Sequence, residues 1–519
     1  MGNFAFCTLC PQVTLRMSNE TPLLSTLKLI YSMGAKMLKR TVLYRLISIG
    51  VALIFLFAVG ASSFAQDETP ADETATEEIV AEEAAAYTDV ELVQYNLDMT
   101  WMITAGFLVF FMQAGFAMLE GGFIRHTGVV NSMAENFMDA CITALVFFIV
   151  GYAIAYAGGG VGGNGIIPTI SFGIGTDLVI DPAVGGLDPY ADWFFQFAFA
   201  GAAATIATGA MAERTDFRGK MIYSAIIGAV IYPVVIFWSP WNGGFLAEQF
   251  GMLDFAGSSI VHQTGGIIAL VGAMIVGPRV GRVFGEPPAP SNLMMASLGT
   301  FILWFGWYGF NVGSTLAANN VHLMGLVAVN TTLAAAAGAV TAMGFVYARS
   351  GKWNMGFILN GSLAGLVGIT AGAAFVSPVA SIIIGLTAGF VVVLASDAVE
   401  MAKIDDAVGA FAVHGACGML GTLAIGFWGV PELIGAESGG LFLGGGFDLL
   451  IGQSISVIVV AIWAIVTGVL MFGSLNALGL LRMHEAADEV GIDMYEHDAS
   501  LYGDILITLP EPSLEPAGD

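Results

Sequence analysis

One frame of residues occurs twice in this chain, as Asp254-Phe-Ala-Gly-Ser-Ser-Ile-Val-His262-Gln-Thr-Gly-Gly266 and as Asp406-Ala-Val-Gly-Ala-Phe-Ala-Val-His414-Gly-Ala-Cys-Gly418. The shared pattern is Asp-x-x-Gly-x-x-x-Val-His-x-x-x-Gly, and each copy leads into a long apolar stretch. An ionisable side chain inside hydrocarbon is costly, and its presence indicates a function by default. The repeated frame therefore predicts one site that is built from two halves of the chain and contains both His262 and His414.

The composition around these frames is typical of a membrane protein. The chain has 519 residues, of which 56% are hydrophobic and only 11% are charged, whereas soluble domains carry about 25% charged residues. Its apolar runs are close to the about 20 residues that cross a bilayer as a helix, and they lack the period-two alternation of a membrane barrel. The sequence thus predicts an all-α polytopic membrane protein, located in the inner or plasma membrane of the cell.

Eleven transmembrane helices are expected, and the loop charges predict how they are oriented. The ten Lys and Arg residues from Arg125 onward fall in alternate loops or the tail, after spans 1, 3, 5, 7, 9 and 11. Positive loops stay in the cytoplasm, so the N-terminus is predicted outside and the C-terminus inside. The predicted spans are centred on Val109, Val146, Ala202, Ile227, Leu270, Leu303, Ala335, Leu366, Ile384, Leu420 and Val460.

The repeat extends beyond the histidine frame. The stretch from Phe107 to Phe116 resembles the stretch from Phe301 to Phe310 in register, so span 1 matches span 6 just as span 5 matches span 10. Because five helices are an odd number, the second unit must enter the membrane in the opposite direction, as in transporters built from inverted repeats. We predict a transmembrane domain over 98–482, with repeat 1 at 98–277, repeat 2 at 293–429 and an extra eleventh helix at 448–482.

The remaining segments are predicted to be accessory. Residues 1–65 have the charge and hydropathy pattern of an N-terminal extension with a signal peptide cleaved after Ala65, although an uncleaved anchor helix is the alternative. Residues 66–97 form an acidic extracytoplasmic segment, and 483–519 form a cytoplasmic tail. The net charge of −25 and the lack of a basic patch exclude a nucleic-acid binder. The pair Cys7 and Cys10 is weak evidence for a metal, and no metal or other cofactor is predicted.

The repeated histidines can form a proton-sharing pair. Because the Asp254 loop is predicted outside and the Asp406 loop inside, the two histidines, each about 12 Å along its helix, would meet around the middle of the membrane. Burial favours the neutral imidazole, which carries one donor and one acceptor nitrogen, so two touching rings can share a proton. The alternative is that each histidine is an ordinary core residue, and that Asp254 and Asp406 only cap their helices.

An aromatic cluster is predicted on the outer side of these histidines. It comprises Phe199 in span 3, Trp241 in the loop before span 5, and Phe310 in span 6 with Ser314 one turn further. Aromatic faces attract a cation by about 0.5–2 kcal/mol, and a serine hydroxyl can accept a hydrogen bond from it. These residues predict a vestibule that recruits a cation, with a core or membrane-interface role as the alternative.

From about residue 98 to 503, the sequence resembles the ammonium transporter (Amt/Rhesus) family, in particular its bacterial Amt branch. The residues that carry the resemblance are Asp254-Phe-Ala-Gly-Ser-Ser-Ile-Val-His262, Gly306-Trp-Tyr-Gly-Phe-Asn-Val-Gly-Ser314, Asp405-Asp-Ala-Val-Gly-Ala-Phe-Ala-Val-His-Gly415 and the tail Glu489-Val-Gly-Ile-Asp493-Met-Tyr-Glu-His497. His126-Thr127 stands where many relatives have Lys-Asn, and the acidic extension has no counterpart that the family explains.

The resemblance implies a role for each candidate residue. His262 and His414 would be the paired pore histidines, Phe199 and Phe310 the gate, and Trp241, Ser314 and Phe199 the outer ammonium site, which Asp254 supports. It also implies homotrimers with one pore per subunit and a cytoplasmic nitrogen-regulatory signal protein as partner. The expected substrate is ammonium, with methylammonium as an analogue, and no enzymatic activity is expected. An ammonium sensor with the same fold and a haem protein that uses both histidines are the alternatives.

Overall fold

The protein is described by a computed structural model that covers residues 88–156, 166–168, 173, 187–240 and 243–501. The predicted signal peptide, residues 66–87 of the acidic segment, Trp241 and the end of the tail lie outside the described residues. Within the described part, the chain forms helices and connecting loops, and its only β pairs are isolated bridges.

Ten helices in the described part are long and apolar enough to cross a membrane, and an eleventh apolar helix, α8, is shorter at 16 residues. In chain order the eleven are α1 Asp89–Phe123, α2 His126–Ala155, α3 Pro189–Met211, α4 Phe217–Trp238, α5 Ser258–Val276, α6 Leu293–Thr315, α7 Val321–Ser350, α8 Met355–Thr370, α9 Pro378–Met401, α10 Phe411–Trp428 and α11 Asp448–Ala477.

Each predicted span centre falls inside one of these helices, and the all-α, multi-pass architecture is confirmed. Because α8 is shorter than the about 20 residues that span a bilayer, the count of eleven crossings stays a prediction. The orientation in the membrane and the boundaries of the segments also stay predictions.

Helices α1 and α6 pack closely along their length and run in opposite directions. A Cβ added to Gly122 would lie 2.5 Å from the backbone nitrogen of Ala296, and one added to Gly309 would lie 2.7 Å from the carbonyl oxygen of Ala105. Residue numbers therefore fall along α1 as they rise along α6. Two matched helices that pack antiparallel are what an inverted repeat requires.

Helices α5 and α10 make the same kind of contact, and the last glycine of the repeated frame lies in it. A Cβ added to Gly266 would lie 2.1 Å from the backbone nitrogen of Gly415, and one added to Gly418 would lie 2.5 Å from the carbonyl oxygen of Ser258. In lipid the hydrophobic effect does not drive helices together, and small residues allow the close packing that holds them. These two glycines therefore set the distance between the helices that carry the histidines.

The first glycine of the frame explains where both helices begin. Gly257 and Gly409 have φ angles of 116° and 82°, which are left-handed values that favour glycine. These two residues are not helical, so α5 begins at Ser258 and α10 at Phe411, after the aspartate that starts each frame. The expectation that each histidine lies eight helical residues beyond its aspartate is corrected, because the first residues of the frame form a turn.

The tail contacts the start of α2 through a short helix, Ile492–His497. The carboxylate of Asp493 accepts hydrogen bonds from the backbone nitrogens of Val130 and Asn131, at 3.0 and 2.8 Å. His497 Nε2 lies 2.8 Å from Asn131 Oδ1. Because an acidic side chain satisfies free N–H groups at a helix start, this part of the tail stabilises the first turns of α2.

Candidate functional site

Asp254 and Asp406 cap the two helices that carry the histidines. The carboxylate of Asp254 is 2% exposed and accepts four backbone N–H groups. Asp406 accepts three in the matched positions. Both aspartates therefore cap their helices, and a further role of Asp254 at the outer site stays a prediction. The donors to Asp254 are Gly257 at 2.8 Å, Ser258 at 2.9 Å, Ser259 at 2.8 Å and Ile260 at 3.1 Å, and those to Asp406 are Gly409 at 3.0 Å, Ala410 at 2.9 Å and Phe411 at 2.9 Å.

His262 and His414 lie against each other where α5 crosses α10. Their Nδ1 atoms are 3.1 Å apart, and their ring centroids are 5.2 Å apart with the planes inclined by 26°. Each histidine sits in a π-helical turn, Ser258–Gln263 in α5 and Phe411–Ala416 in α10, and such turns are frequent at functional sites. An Nδ1–Nδ1 hydrogen bond requires a proton on one of the two atoms, so the pair shares one proton position.

A row of aromatic rings leads to this pair from α3 and α6. The rings of Phe199 and Phe310 are 4.2 Å apart, and Phe310 stacks on His262 at 5.2 Å with an angle of 23°. Trp307 lies on the same histidine at 5.0 Å. Phe199, Phe310 and His262 are all buried, so the two phenylalanines separate the histidines from one end of the protein.

Phe116 of α1 also contacts the histidine pair, although it was not among the predicted site residues. Its ring lies 6.1 Å from that of His414. Phe116 matches Phe310 in the repeat, and His414 matches His262, so each matched phenylalanine lies on the histidine of the other repeat. The alignment of Phe107–Phe116 with Phe301–Phe310 could have predicted this contact. Matched positions in inverted repeats have equivalent surroundings, so Phe116 is expected to lie near a histidine as Phe310 does.

A small cavity of about 20 Å³ lies beside Phe199 and Ser314 and is called the outer cavity here. It has room for about one water-sized molecule. The hydroxyl of Ser314 donates to the carbonyl oxygen of Phe310 at 2.8 Å, so its lone pairs remain as acceptors. Trp241, the fourth predicted member of this site, lies outside the described residues. The remaining lining comes from Tyr156, Phe195, Gln196, Tyr232, Ile236, Ala256, Gly257, Ile260 and Val261.

A second cavity of about 20 Å³, called the inner cavity here, reaches His414. Phe116, Glu120 and Val413 line it together with that histidine. Like the outer cavity, it fits about one water-sized molecule. The Phe310 ring and the histidine pair therefore stand between two sites for small molecules. Glu120 was not among the predicted site residues, although a carboxylate inside an apolar span was visible in the sequence.

The Nδ1–Nδ1 distance fits a hydrogen bond and not the two axial ligands of a haem iron. Imidazole nitrogens on opposite sides of one metal ion would be about 4 Å apart at metal–nitrogen distances of about 2 Å, and the observed distance is 3.1 Å. Within the described residues, no group of three or more His, Cys, Asp and Glu side chains is arranged to hold a metal ion.

Comparison with known proteins agrees with this geometry. A profile described as Ammonium Transporter Family matches residues 100–502. Ammonium transporter Amt2 of Archaeoglobus fulgidus is 42% identical over 449 residues, which are 83% of this chain and 93% of that protein. A putative ammonium transporter of Synechocystis is 40% identical over 426 residues, which are 80% of this chain and 92% of that protein.

Solved structures of this kind also superpose on the chain. A protein titled Sensor Amt Protein has a TM-score of 0.70 at 36% identity and covers 78% of this chain and all of its own. Mep2 of Candida albicans has a TM-score of 0.70 at 30% identity, with 76% of this chain and 88% of its own covered. The narrower bacterial branch stays a prediction, but the profile and the relatives leave no doubt that the chain belongs to the ammonium transporter family.

Proposed function

We propose that this protein takes up ammonium by recruiting it at the outer cavity, removing its proton and passing ammonia along the row of phenylalanine and histidine rings. The observation that carries the proposal is the buried Nδ1–Nδ1 contact of 3.1 Å between His262 and His414, directly behind the Phe199–Phe310 pair. Its family supports ammonium as the substrate.

Recruitment rests on the outer cavity. Phe199 offers a ring face to a cation, and Ser314 Oγ offers an acceptor because its hydrogen is used on Phe310. By the family resemblance, Trp241 completes the site. Asp254 supports it indirectly, because its carboxylate holds the turn that includes Gly257, a residue of the cavity wall.

Selection against potassium follows from the cost of burying a charge. An intact cation loses far more solvation energy in an apolar passage than a few contacts return. Ammonium escapes this cost by releasing a proton, whereas potassium has no proton to release. A passage closed by Phe199 and Phe310 therefore passes ammonia and rejects metal cations of similar size.

The histidine pair gives the ammonia a polar place inside the passage. Each neutral imidazole offers one acceptor or one donor nitrogen, and the shared Nδ1 proton fixes which nitrogen has which role. In the described part of the chain, Nε2 of His262 is buried without a partner, so it can bond to a passing molecule. The pair also offers a route for the proton that ammonium leaves behind.

A sensor with the same fold is the second candidate, since one of the matching structures is titled Sensor Amt Protein. Uptake of ammonium and of labelled methylammonium into proteoliposomes that contain the full chain separates the two functions. Accumulation well above that of protein-free liposomes is expected for a transporter. Tight ammonium binding without any uptake would refute transport and favour the sensor.

The assembly belongs to the same proposal. We infer from the resemblance a homotrimer in the cell membrane with one pore in each subunit, and a tail that faces a cytoplasmic nitrogen-regulatory signal protein. The contact of Asp493 and His497 with the start of α2 supports a tail held against the transmembrane domain. Mass measurement of the detergent-solubilised protein tests the trimer.

A further inference from the structure

The inner cavity contains a buried carboxyl group that the mechanism above does not use. We propose that Glu120 is the proton donor and acceptor at the inner end of the passage, where it returns a proton to ammonia before release. This inference rests on the proposed function and names the residue that handles the proton on the far side of the histidine pair.

The position of Glu120 is the first argument. Glu120 and His414 line the same cavity of about 20 Å³, which accommodates about one water-sized molecule. Ammonia is of that size, so a molecule that leaves His414 reaches Glu120 without crossing a further barrier. Glu120 is only 2% exposed, and an ionisable side chain at such a place within a membrane span indicates a function by default.

The hydrogen bonds of Glu120 leave one carboxyl oxygen for the cavity molecule. Asn136 Nδ2 donates to Oε2 at 2.8 Å, and the hydroxyl of Ser132 donates to the same oxygen at 3.4 Å. Within the described part of the chain, no hydrogen bond ends on Oε1. A Cβ added to Gly209 would lie 2.9 Å from Oε1, so the glycine at this position leaves the space that the carboxyl group occupies.

The charges around Glu120 are the second argument. Glu135, Asp139 and Lys220 are the charged groups that act on it. Lys220 forms an ion pair with Asp139, and both side chains are fully buried; its ammonium group also donates to the hydroxyls of Thr208 and Ser224. The one nearby cation is therefore bound to Asp139, and no ion pair of Glu120 is found among the described residues.

A carboxylate without a cation is unstable in an apolar region, so Glu120 gains a proton readily and can give it to a stronger base. In the transfer step, the O–H bond of the Glu120 carboxyl breaks and an N–H bond forms on ammonia, which leaves a carboxylate and an ammonium ion. The ammonium ion leaves towards the cytoplasm. The carboxylate is reprotonated by the proton that ammonium released on the outer side and that passes along the histidine pair.

The experiment measures charge and ammonia separately on proteoliposomes that contain the full chain. After a jump in the ammonium concentration, the current is measured on a solid-supported membrane and the internal pH is measured with an enclosed dye. Both signals are corrected with protein-free liposomes. For Glu120→Gln we expect the current to fall by about a hundredfold, as for loss of a general acid or base. Internal alkalinisation should become larger than in the wild type, because ammonia that arrives without a proton takes one from the internal solution. Glu120→Asp keeps a carboxyl group and should retain part of the current.

Glu135→Gln is the matched control. Glu135 is 1% exposed and is one of the charged groups that act on Glu120, but it does not line the inner cavity. Its variant should keep both signals. An unchanged current in Glu120→Gln, an equal loss of current in Glu135→Gln, or a loss of current in Glu120→Gln without a larger internal alkalinisation would each overturn the assignment.

The wild-type protein separates this inference from the function on which it rests. Alkalinisation without any current would overturn the role of Glu120 and leave ammonia transport standing, because neutral ammonia needs no returning proton. Neither signal in the wild type would refute the transport function itself.

Discussion

Nδ1 of His262 lies 3.1 Å from Nδ1 of His414, although 152 residues separate them in the chain. The contact forms because the last glycine of each frame, Gly266 or Gly418, touches the backbone of the opposite helix. Two copies of one local sequence thereby build a hydrogen bond that neither copy can form alone. The symmetric arrangement also gives His262 and Asp254 matched partners in the other repeat, His414 and Asp406.

Removal of either imidazole should impair the exclusion of potassium or stop transport. In His262→Ala or His414→Ala the shared proton position is lost, and a cavity replaces a polar group. We expect ammonium flux in the presence of competing potassium to fall by about a hundredfold, or potassium itself to pass. Flux assays with labelled methylammonium and potassium decide this, and unchanged flux and selectivity in both variants would contradict the proton-sharing role.

The phenylalanines that line the two cavities should differ in their effect on substrate affinity. Phe199 lines the outer cavity, where the cation arrives, so Phe199→Leu should raise the apparent KM for ammonium by about two- to thirtyfold, as expected for a lost cation–π contact. Phe116→Leu changes the side that neutral ammonia meets and should alter the maximal rate but leave KM unchanged. Concentration series on both variants test this, and equal KM shifts would refute the distinction between the two sides.

The two helix caps should contribute similar stability but different function. Asp254→Ala and Asp406→Ala each remove a carboxylate that accepts three or four backbone N–H groups, and a lost cap costs about 1–2 kcal/mol. Both variants should unfold at lower temperature. Only Asp254→Ala should also weaken ammonium recruitment, because its turn forms part of the outer cavity wall. A loss of affinity of the same size in Asp406→Ala would argue against a specific role for Asp254.

The close contact between α5 and α10 can be tested with single methyl groups. Gly266→Ala places a Cβ 2.1 Å from the backbone nitrogen of Gly415, so the helices must separate and the histidine contact must lengthen. We expect a strong loss of folded protein and of transport. Gly344→Ala in α7 is the control, because a Cβ there meets nothing within 4 Å. Size-exclusion profiles and flux of both variants check the prediction, which full activity in Gly266→Ala would contradict.

The loop before α10 should make stability depend on acid pH. Burial raises the pKa of Asp405, but the hydrogen bonds from Arg279 and the positive charges of Arg279 and Arg214 outweigh it and hold this pKa well below its usual value. A lowered folded-state pKa stabilises the protein above the unfolded pKa of about 3.9 and loses that contribution as the pH falls below it.

Asp405→Asn removes this contribution. Its melting temperature should therefore lie below that of the wild type at neutral pH, and the difference should shrink as the pH falls below about 4. Arg349, paired with Asp397 at an exposed site at 2.6 Å, gives the control: exposed pairs contribute about 0–1 kcal/mol, so Asp397→Asn should change little. A constant difference between Asp405→Asn and the wild type at all pH values would contradict the assignment.

The sequence by itself determined the membrane class, the helical architecture and the internal repeat, because apolar length and loop charge are local properties of the chain. The repeated frame also singled out His262, His414 and the two aspartates. Trp241, which the sequence placed in the aromatic cluster and the resemblance at the outer site, lies outside the described residues and stays a prediction. Phe116 escaped notice although its register with Phe310 was visible, because a single phenylalanine in an apolar span carries no signal of its own.

Only the tertiary structure decided which side chains meet. The Nδ1–Nδ1 contact, the stacking of Phe310 on His262 and the cavity shared by His414 and Glu120 all join residues of different helices. Hydropathy and spacing describe one helix at a time, whereas these contacts depend on the crossing distance that Gly266 and Gly418 permit. The chain thus specifies the two halves locally, and close packing of their backbones creates the passage between them.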